Sequence, residues 1–468
     1  MGTIADKLAR LAGTKEDIRQ ALLDKGRQVA EDTPFSAYGD QVRAIEARKG
    51  PLKEKEVNLY DYDGALVETY TPEEFALLEA LPDPPEHEGL TFQGYNYTLD
   101  KAKAYVAKYG YLNIGAIYIT DDGATRIKLD LVSDKPEALT VPLKFSQTVE
   151  GGVSVDWGDG SPVETDPVNT GYQYCTLTHS YAQPGKYTIS LSVAEGCTLK
   201  LGGESSTAVF AEKEYLKSTV TEVNIGARAE IGGYAFELCY SMEYLTLPKG
   251  ITTLGKDGFA FYSPQRLTAI ILPEGITSVP RWTFGYCSRT WVISLPEGVE
   301  TINENAFMTC SGVTSIVIPE GCKEIWDDAF IYCTAATWIV VPDGVTHIYE
   351  GAFFSCTAAE KIILSPGLKE LGVYGNGQGY GAFAVATSWR EIRIPETVES
   401  MGKGVFDIVL KAEKMYLCPQ IPPTTSGMPI SVDERAICFT IYVPAESVEA
   451  YKTAEGWSAY ADRIEAMP

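Results

Sequence analysis

From about residue 228 the apolar positions recur with a long, regular period. The pattern reads I-x-x-I-x-x-x-A-F-x-x-C-x-x-L-x-x-I-x-L-P-E-G, and four successive copies of 23 residues cover 276–298, 299–321, 322–344 and 345–367. A copy at 228–250, one of 25 residues at 251–275, one of 30 at 368–397 and a degenerate one from Val398 bring the total to eight. Phe236, Phe259, Phe284, Phe307, Phe330, Phe353, Phe383 and Phe406 take one equivalent position. A large apolar side chain at a fixed period predicts stacked coils, each burying its ring against the next. Within each copy L-x-x-I-x-L-P predicts a short strand closed by a Pro-Glu-Gly turn. Its Leu and Ile face inward, and the residues between them face out.

Upstream the pattern changes twice. Residues 138–195 alternate over short runs (VPLKFSQTV, GGVSVDWGDGSP, CTLTHSYAQPGKYTISLSV), the rhythm of a small β-sandwich. Before them, Val57–Tyr70 predicts a strand and an Asp63-Gly64 turn, Leu99–Tyr109 a helix, and Gly115–Val132 a hairpin about Asp122-Gly123. The proline cluster of residues 81–89 predicts an extended connection. Residues 3–48 carry short amphipathic patterns, with Ile4, Leu8 and Leu11, then Ile18, Leu22 and Leu23, then Phe35, Tyr38, Val42 and Ile45. Helices that short need a partner or a second copy to pack against. The expected fold is therefore multidomain: a helical N-terminus (1–50), a small α+β region (51–137), a β-sandwich (138–195), and a β-rich repeat solenoid with a C-terminal helical cap (196–468).

Charge narrows the function classes. Over 468 residues, 63 acids against 39 bases leave a net charge of −24, which disfavours nucleic acid and anionic membranes as partners. No run of about 18 apolar residues is present to insert into a membrane. The start MGTIADKLARL does not read as a secretory signal, so the expectation is a protein not exported by the ordinary route. Three histidines leave little for a histidine-based catalyst or metal site.

The candidate chemistry is sparse. Cys239, Cys287, Cys310, Cys333 and Cys356 share one repeat position, which predicts a buried packing ladder of reduced thiols; Cys175, Cys197, Cys322, Cys418 and Cys438 form no disulfide framework. Asp156 and Asp159 read as turn caps beside glycines. The glycine-rich insertion at 372–383 lacks the lysine of a phosphate loop. Repeat acids such as Glu304, Asp327 and Asp328 show no pairing logic for glycoside hydrolysis. No catalytic residue, cofactor site or metal site is expected.

A binding surface is the better prospect. The outward strand positions form a stripe of Tyr244, Thr246, Ile271, Val292, Ser294, Val317, Trp338, Val340, Lys361, Ile363, Glu391, Arg393, Lys414 and Tyr416, apolar in the middle and charged toward its end. It is either an exposed contact surface, or a set of apolar positions that simply suit a β surface or are covered by a neighbouring subunit. Tyr374 and Tyr380 on the insertion are a second candidate.

Three stretches carry family resemblances. The run Val155-Asp156-Trp157-Gly158-Asp159-Gly160, with His179-Ser180-Tyr181 and Pro184-Gly185-Lys186-Tyr187, resembles the polycystic kidney disease (PKD) type of immunoglobulin-like domain, which implies a spacer or adhesive module. The repeats, with Ile441-Tyr442-Val443-Pro444 and then Val448, Tyr451, Trp457 and Tyr460, resemble BspA-type leucine-rich repeats and their terminal cap. MGTIADKLARLAGTKEDIRQALLDKG, VNLYDYDG and LPDPPEHEGLTFQGYNYTL resemble tail-associated proteins of bacteriophages. Together these imply an adhesive virion protein, attached to other tail proteins by its N-terminus, touching a host surface protein or glycan by its repeats, and able to self-associate. A bacterial cell-surface adhesin is the alternative, and a glycan hydrolase on a repeat scaffold the remote one.

Overall fold

In every coil of the repeat the inward residues line up. The computed structural model describes residues 56–166, 174–203, 208–210, 214–256, 258–373, 381–430 and 439–468. The helical patterns of residues 3–48, together with Tyr374, Tyr380 and Cys438, lie outside the described residues. On one side of the solenoid short parallel strands pair in register as 269–271 with 292–294, then as 315–317, 338–340 and 361–363, and a four-stranded parallel sheet of 391–394, 414–417, 440–443 and 464–466 continues that side. A second sheet of seven two-residue strands, from Ser278–Val279 to Thr424–Thr425, forms another side. Between them Phe236, Phe261, Phe284, Phe307, Phe330, Phe353, Phe383 and Phe406 stack nearly parallel, with centroids 5.1–6.4 Å apart.

One member of the expected ladder is corrected. Phe261, not Phe259, fills the core of the second coil, because that coil carries its two extra residues before the Ala-Phe pair. Phe259 stacks instead between Tyr234 and Trp282. These three residues share a left-handed backbone, φ 57–59°. The coils pass through that region both two residues before and two after the ladder phenylalanine, as at Asn305 and Thr309 around Phe307. Each such L-residue costs about 1–2 kcal/mol, so the turns are held by the stacked core rather than by local preference.

The cysteine ladder has a specific job. Cys310, Cys333 and Cys356 are buried, and each thiol donates to the carbonyl of the phenylalanine 26 residues earlier, at 3.3, 3.5 and 3.6 Å. Burial pushes the Cys239 and Cys356 thiols up to about 12. They are therefore protonated packing groups and poor nucleophiles or metal ligands. All cysteines among the described residues are free.

The sandwich is built into the end of the solenoid. One sheet contains β5 (Thr125–Leu131), β7 (Val153–Asp156), β8 (Glu164–Thr165), β10 (Gly185–Val193), β12 (Val220–Asn224) and β14 (Tyr244–Thr246). The other contains β6 (Thr140–Gln147), β9 (Tyr174–Ser180), β11 (Leu199–Leu201) and β13 (Ala229–Ile231). Strand β12 pairs antiparallel with β5 on one side and parallel with β14 on the other, so the sandwich sheet runs on into the first coils. A single hydrophobic core joins Trp157 and Ile189 to the phenylalanine ladder. The WGDG turn matches its reading: Asp156 and Asp159 accept the amides of Gly158 and Ser161, and Asp159 also meets His179 at 2.8 Å.

The small α+β domain forms a separate sheet in the order β2-β1-β4-β3, from β1 (Glu56–Tyr60), β2 (Leu66–Tyr70), β3 (Leu90–Tyr95) and β4 (Tyr111–Thr120), with α1 (Pro72–Ala76) and α2 (Leu99–Tyr109) beside it. The expected hairpin about Asp122-Gly123 is not one. Strand β4 pairs with β1 and β3, whereas β5 pairs with β10 and β12. The local Asp-Gly signal marks a turn that hands the chain from one sheet to another, since the apolar residues of β5 find a larger core in the sandwich.

Candidate binding face

The repeat strands place alternate residues outward, and the small domain lies on the first half of them. Ile271 and Val292 pack with Ala269 against Tyr60 and Ile117, leaving 8% and 2% of their surfaces exposed. Trp338 stacks on Tyr111 with rings 6.3 Å apart and 12° from parallel. Val317 and Val340 are buried too. The apolar middle of the stripe is thus covered, and the cover is the chain's own α+β domain rather than a neighbouring subunit.

Polar groups set the register of this docking. Asn96 donates to Ser294 Oγ at 2.9 Å and to the carbonyls of Leu272 and Ser294, while its oxygen accepts the Gly115 amide. Ser294 donates to the Asn113 carbonyl at 2.8 Å, and Asn113 and Tyr111 donate to Ser315 Oγ at 3.0 and 3.2 Å. Leaving one of these buried groups unpaired would cost about 1–3 kcal/mol, so a slip by one coil is penalised repeatedly. The acids of three successive Pro-Glu-Gly or Pro-Asp-Gly turns add a second gauge. Lys101 pairs with Glu297 at 2.7 Å, and Lys108 with Glu320 and Asp343 at 2.8 and 2.7 Å. Seven residues of helix rise about 10 Å, close to two coil spacings. These exposed pairs are worth about 0–1 kcal/mol each, against about 1.5–3 for each large apolar side chain taken from water. Apolar burial holds the domain down, and the polar groups choose where.

The remaining candidates divide. Lys361 lies over the stripe's tryptophan, 4.8 Å from the Trp338 centroid. Beyond it Arg393 lies 4.9 Å over Tyr416, and Tyr416 stacks on Tyr442 at 5.2 Å. Arg393, Lys414 and Glu391 are exposed, and neither Arg393 nor Lys414 has a carboxylate partner among the described residues. Tyr244 sits at the other end, edge-on to Tyr62, lining a cleft of about 460 Å³ against the sandwich. The structure thus brings Arg393 and Tyr416 together on an open face, places Ile271, Val292 and Trp338 under the docked domain, and sets Tyr244 apart. Sequence reasoning missed Asn96, Asn113, Ser294 as a docking residue, Ser315, and the row Glu297, Glu320 and Asp343. The usable signal was the 23-residue recurrence of those acids beside two lysines seven apart.

Repeat acids also meet in space. Glu304, Asp327 and Glu350 hold the same place in successive coils, and one Asp327 oxygen is buried without a hydrogen bond. Burial, then Asp328, Glu350 and Glu304, raise the Asp327 carboxyl to about 6. A folded-state value above the unfolded one means the native state holds the proton more tightly, so stability falls as pH rises from about 4 to about 6. Discounted for its half-exposed position, the cost at neutral pH is about 1 kcal/mol. Asp327→Asn should raise the denaturant midpoint at pH 7 and leave it nearly unchanged at pH 4; an equal effect at both would refute the assignment. Among the described residues no group of three or more His, Cys, Asp or Glu side chains is placed to hold a metal.

The model of the BspA type leucine-rich repeat region matches residues 208–337 and 300–423 in six copies, a span that lies within the solenoid. No curated protein matches the chain. Among solved structures, a leucine-rich repeat protein from Bacteroides ovatus ATCC 8483 is 23% identical over 40% of this chain and 47% of its own, with a TM-score of 0.32. A leucine-rich cell surface protein from Faecalibacterium prausnitzii A2-165 is 20% identical over 51% of this chain and 84% of its own, with a TM-score of 0.23. The T. pallidum leucine-rich repeat protein is 21% identical over 39% and 70%, with a TM-score of 0.28. The chain therefore spans under half the length of the Bacteroides ovatus protein.

Proposed function

We propose that this protein is adhesive, a repeat scaffold that holds a surface-borne protein or glycan against the open end of its strand face. One observation carries the reading: the small domain covers the apolar half of the stripe and leaves Arg393, Lys414, Tyr416 and Tyr442 presented on a stiff sheet. A pre-oriented guanidinium on an aromatic ring is a low-entropy contact group. The finer reading is a bacteriophage tail-tip or receptor-binding protein, supported by the resemblance of its N-terminal stretches to tail-associated proteins, with the PKD-like sandwich and the small domain joining the attachment segment to the repeats.

The test is retention of the labelled full chain on host cells. A triple Arg393→Ala, Lys414→Ala, Tyr416→Ala variant with wild-type melting should lose about tenfold or more in affinity, as expected when central contacts are removed. Retention unchanged in that variant would refute the open face. Mass spectrometry of purified particles decides the setting: presence in virions supports the tail reading, and presence in the bacterial envelope alone replaces it with the cell-surface adhesin.

A further inference from the structure

The cleft at Tyr244 is a feature separate from the open face of Arg393 and Tyr416. It forms where the sandwich sheet runs on into the solenoid, so one row of outward residues crosses four strands in register: Thr188 on β10, Lys128 on β5, Glu222 on β12 and Tyr244 on β14. The cleft of about 460 Å³ falls within the range of small-molecule sites, and a junction between two packed bodies is where such sites concentrate.

Its charges are paired. Lys128 meets Glu222 at 2.8 Å, with the Glu222 side chain only 12% exposed, and Arg266 pairs with Glu243. Lys186 and Asp130 face each other across β10 and β5 and complete a lining of three cations and three anions. An anion or a cation entering here would be repelled by one member of each pair. An apolar ligand would desolvate both pairs with no compensation. A hydroxyl group satisfies both, since it donates to the carboxylate while accepting from the ammonium or guanidinium.

We infer that this cleft binds a neutral saccharide unit, with its hydroxyls bridging the Lys128–Glu222 and Arg266–Glu243 pairs and its carbon face resting on Tyr244. The cross-strand register makes the site rigid before binding, which limits the ordering cost. The site is independent of the open face, so the chain carries two grips on opposite ends of the solenoid strands.

The experiment uses the full chain and saturation-transfer NMR against neutral oligosaccharides of glucose, galactose, mannose and N-acetylhexosamine, beside sialylated and uronate-bearing ones. At least one neutral sugar should bind, and Glu222→Gln, which keeps the shape of the side chain, should weaken it about tenfold through loss of one charged hydrogen bond. Tyr244→Ala should weaken it comparably, while Lys323→Ala, on another side of the solenoid, should leave it unchanged. Absence of binding to every neutral sugar at millimolar concentration would overturn the inference. So would a preference for the charged set, or binding that persists in both folded cleft variants. Failure of sugar binding at this cleft leaves cell retention through Arg393 and Tyr416 untouched.

Discussion

Gly115→Val should lever the small domain away from the solenoid. A Cβ at Gly115 would fall 2.3 Å from Ile271 Cγ2, with Cγ1 and Cδ1 at 2.8 and 2.9 Å, far inside contact distance. Gly115 is paired to Tyr60 in β1, and its own amide is held by Asn96, so the strand cannot move alone. The whole sheet must lift, breaking the apolar cluster of Tyr60, Ile117, Ile271 and Val292 and the polar seam behind it. Overpacking of a settled core costs about 1–3 kcal/mol; here it also opens the interface. Rapid proteolysis near residues 121–124 and hydrogen exchange at β4 amides should report the detachment. Ile271→Ala in the same chain should restore at least part of the protection, because it removes the clashing carbons. Wild-type exchange in the single variant would mean the domain is not docked as described.

A fragment of residues 215–468, which holds the whole repeat array, should not behave as a folded monomer. Its first strand, β12, loses its antiparallel partner β5 and becomes an open edge. At the same time Ile271, Val292, Val317, Trp338 and Val340 become a continuous apolar patch. The expected result is aggregation or strong binding of a hydrophobic dye, with a chain starting at residue 54 soluble and monodisperse beside it. A monomeric 215–468 fragment with full thermal stability would show that the sandwich and small domain add nothing to the repeats. For the same reason cell-binding tests with the repeats alone would report the exposed patch rather than the native open face.

The parts legible in the sequence are those governed by short-range periodicity. The period of 23 placed the ladder phenylalanines, the buried cysteines and the outward strand positions, because each coil repeats one local solution. It misplaced only Phe259, where two inserted residues made two phenylalanines plausible. Asp122-Gly123 gave a correct turn and a wrong pairing, since a turn signal specifies a change of direction and not the strand that follows. Most of the outward stripe was legible too, with its change from apolar to charged at Lys361, but Ala269 and Ser315 on the same face were not picked out, because small residues carry no apolar signal.

What covers that stripe was decided only in three dimensions. Nothing local to Tyr60, Asn96, Tyr111 or Ile117 marks them as partners of residues about 150–230 positions later. Their match depends on β4 lying across successive coils and on a helical lysine spacing that coincides with the coil rise. Sequence periodicity determined that this chain is a stack of coils with an outward face of known composition, because burial in a solenoid is set by neighbours one period away. Tertiary packing decided which half of that face remains exposed, because long-range apolar surface is buried wherever shape and hydrogen-bond register allow, and only the folded chain brings those surfaces together.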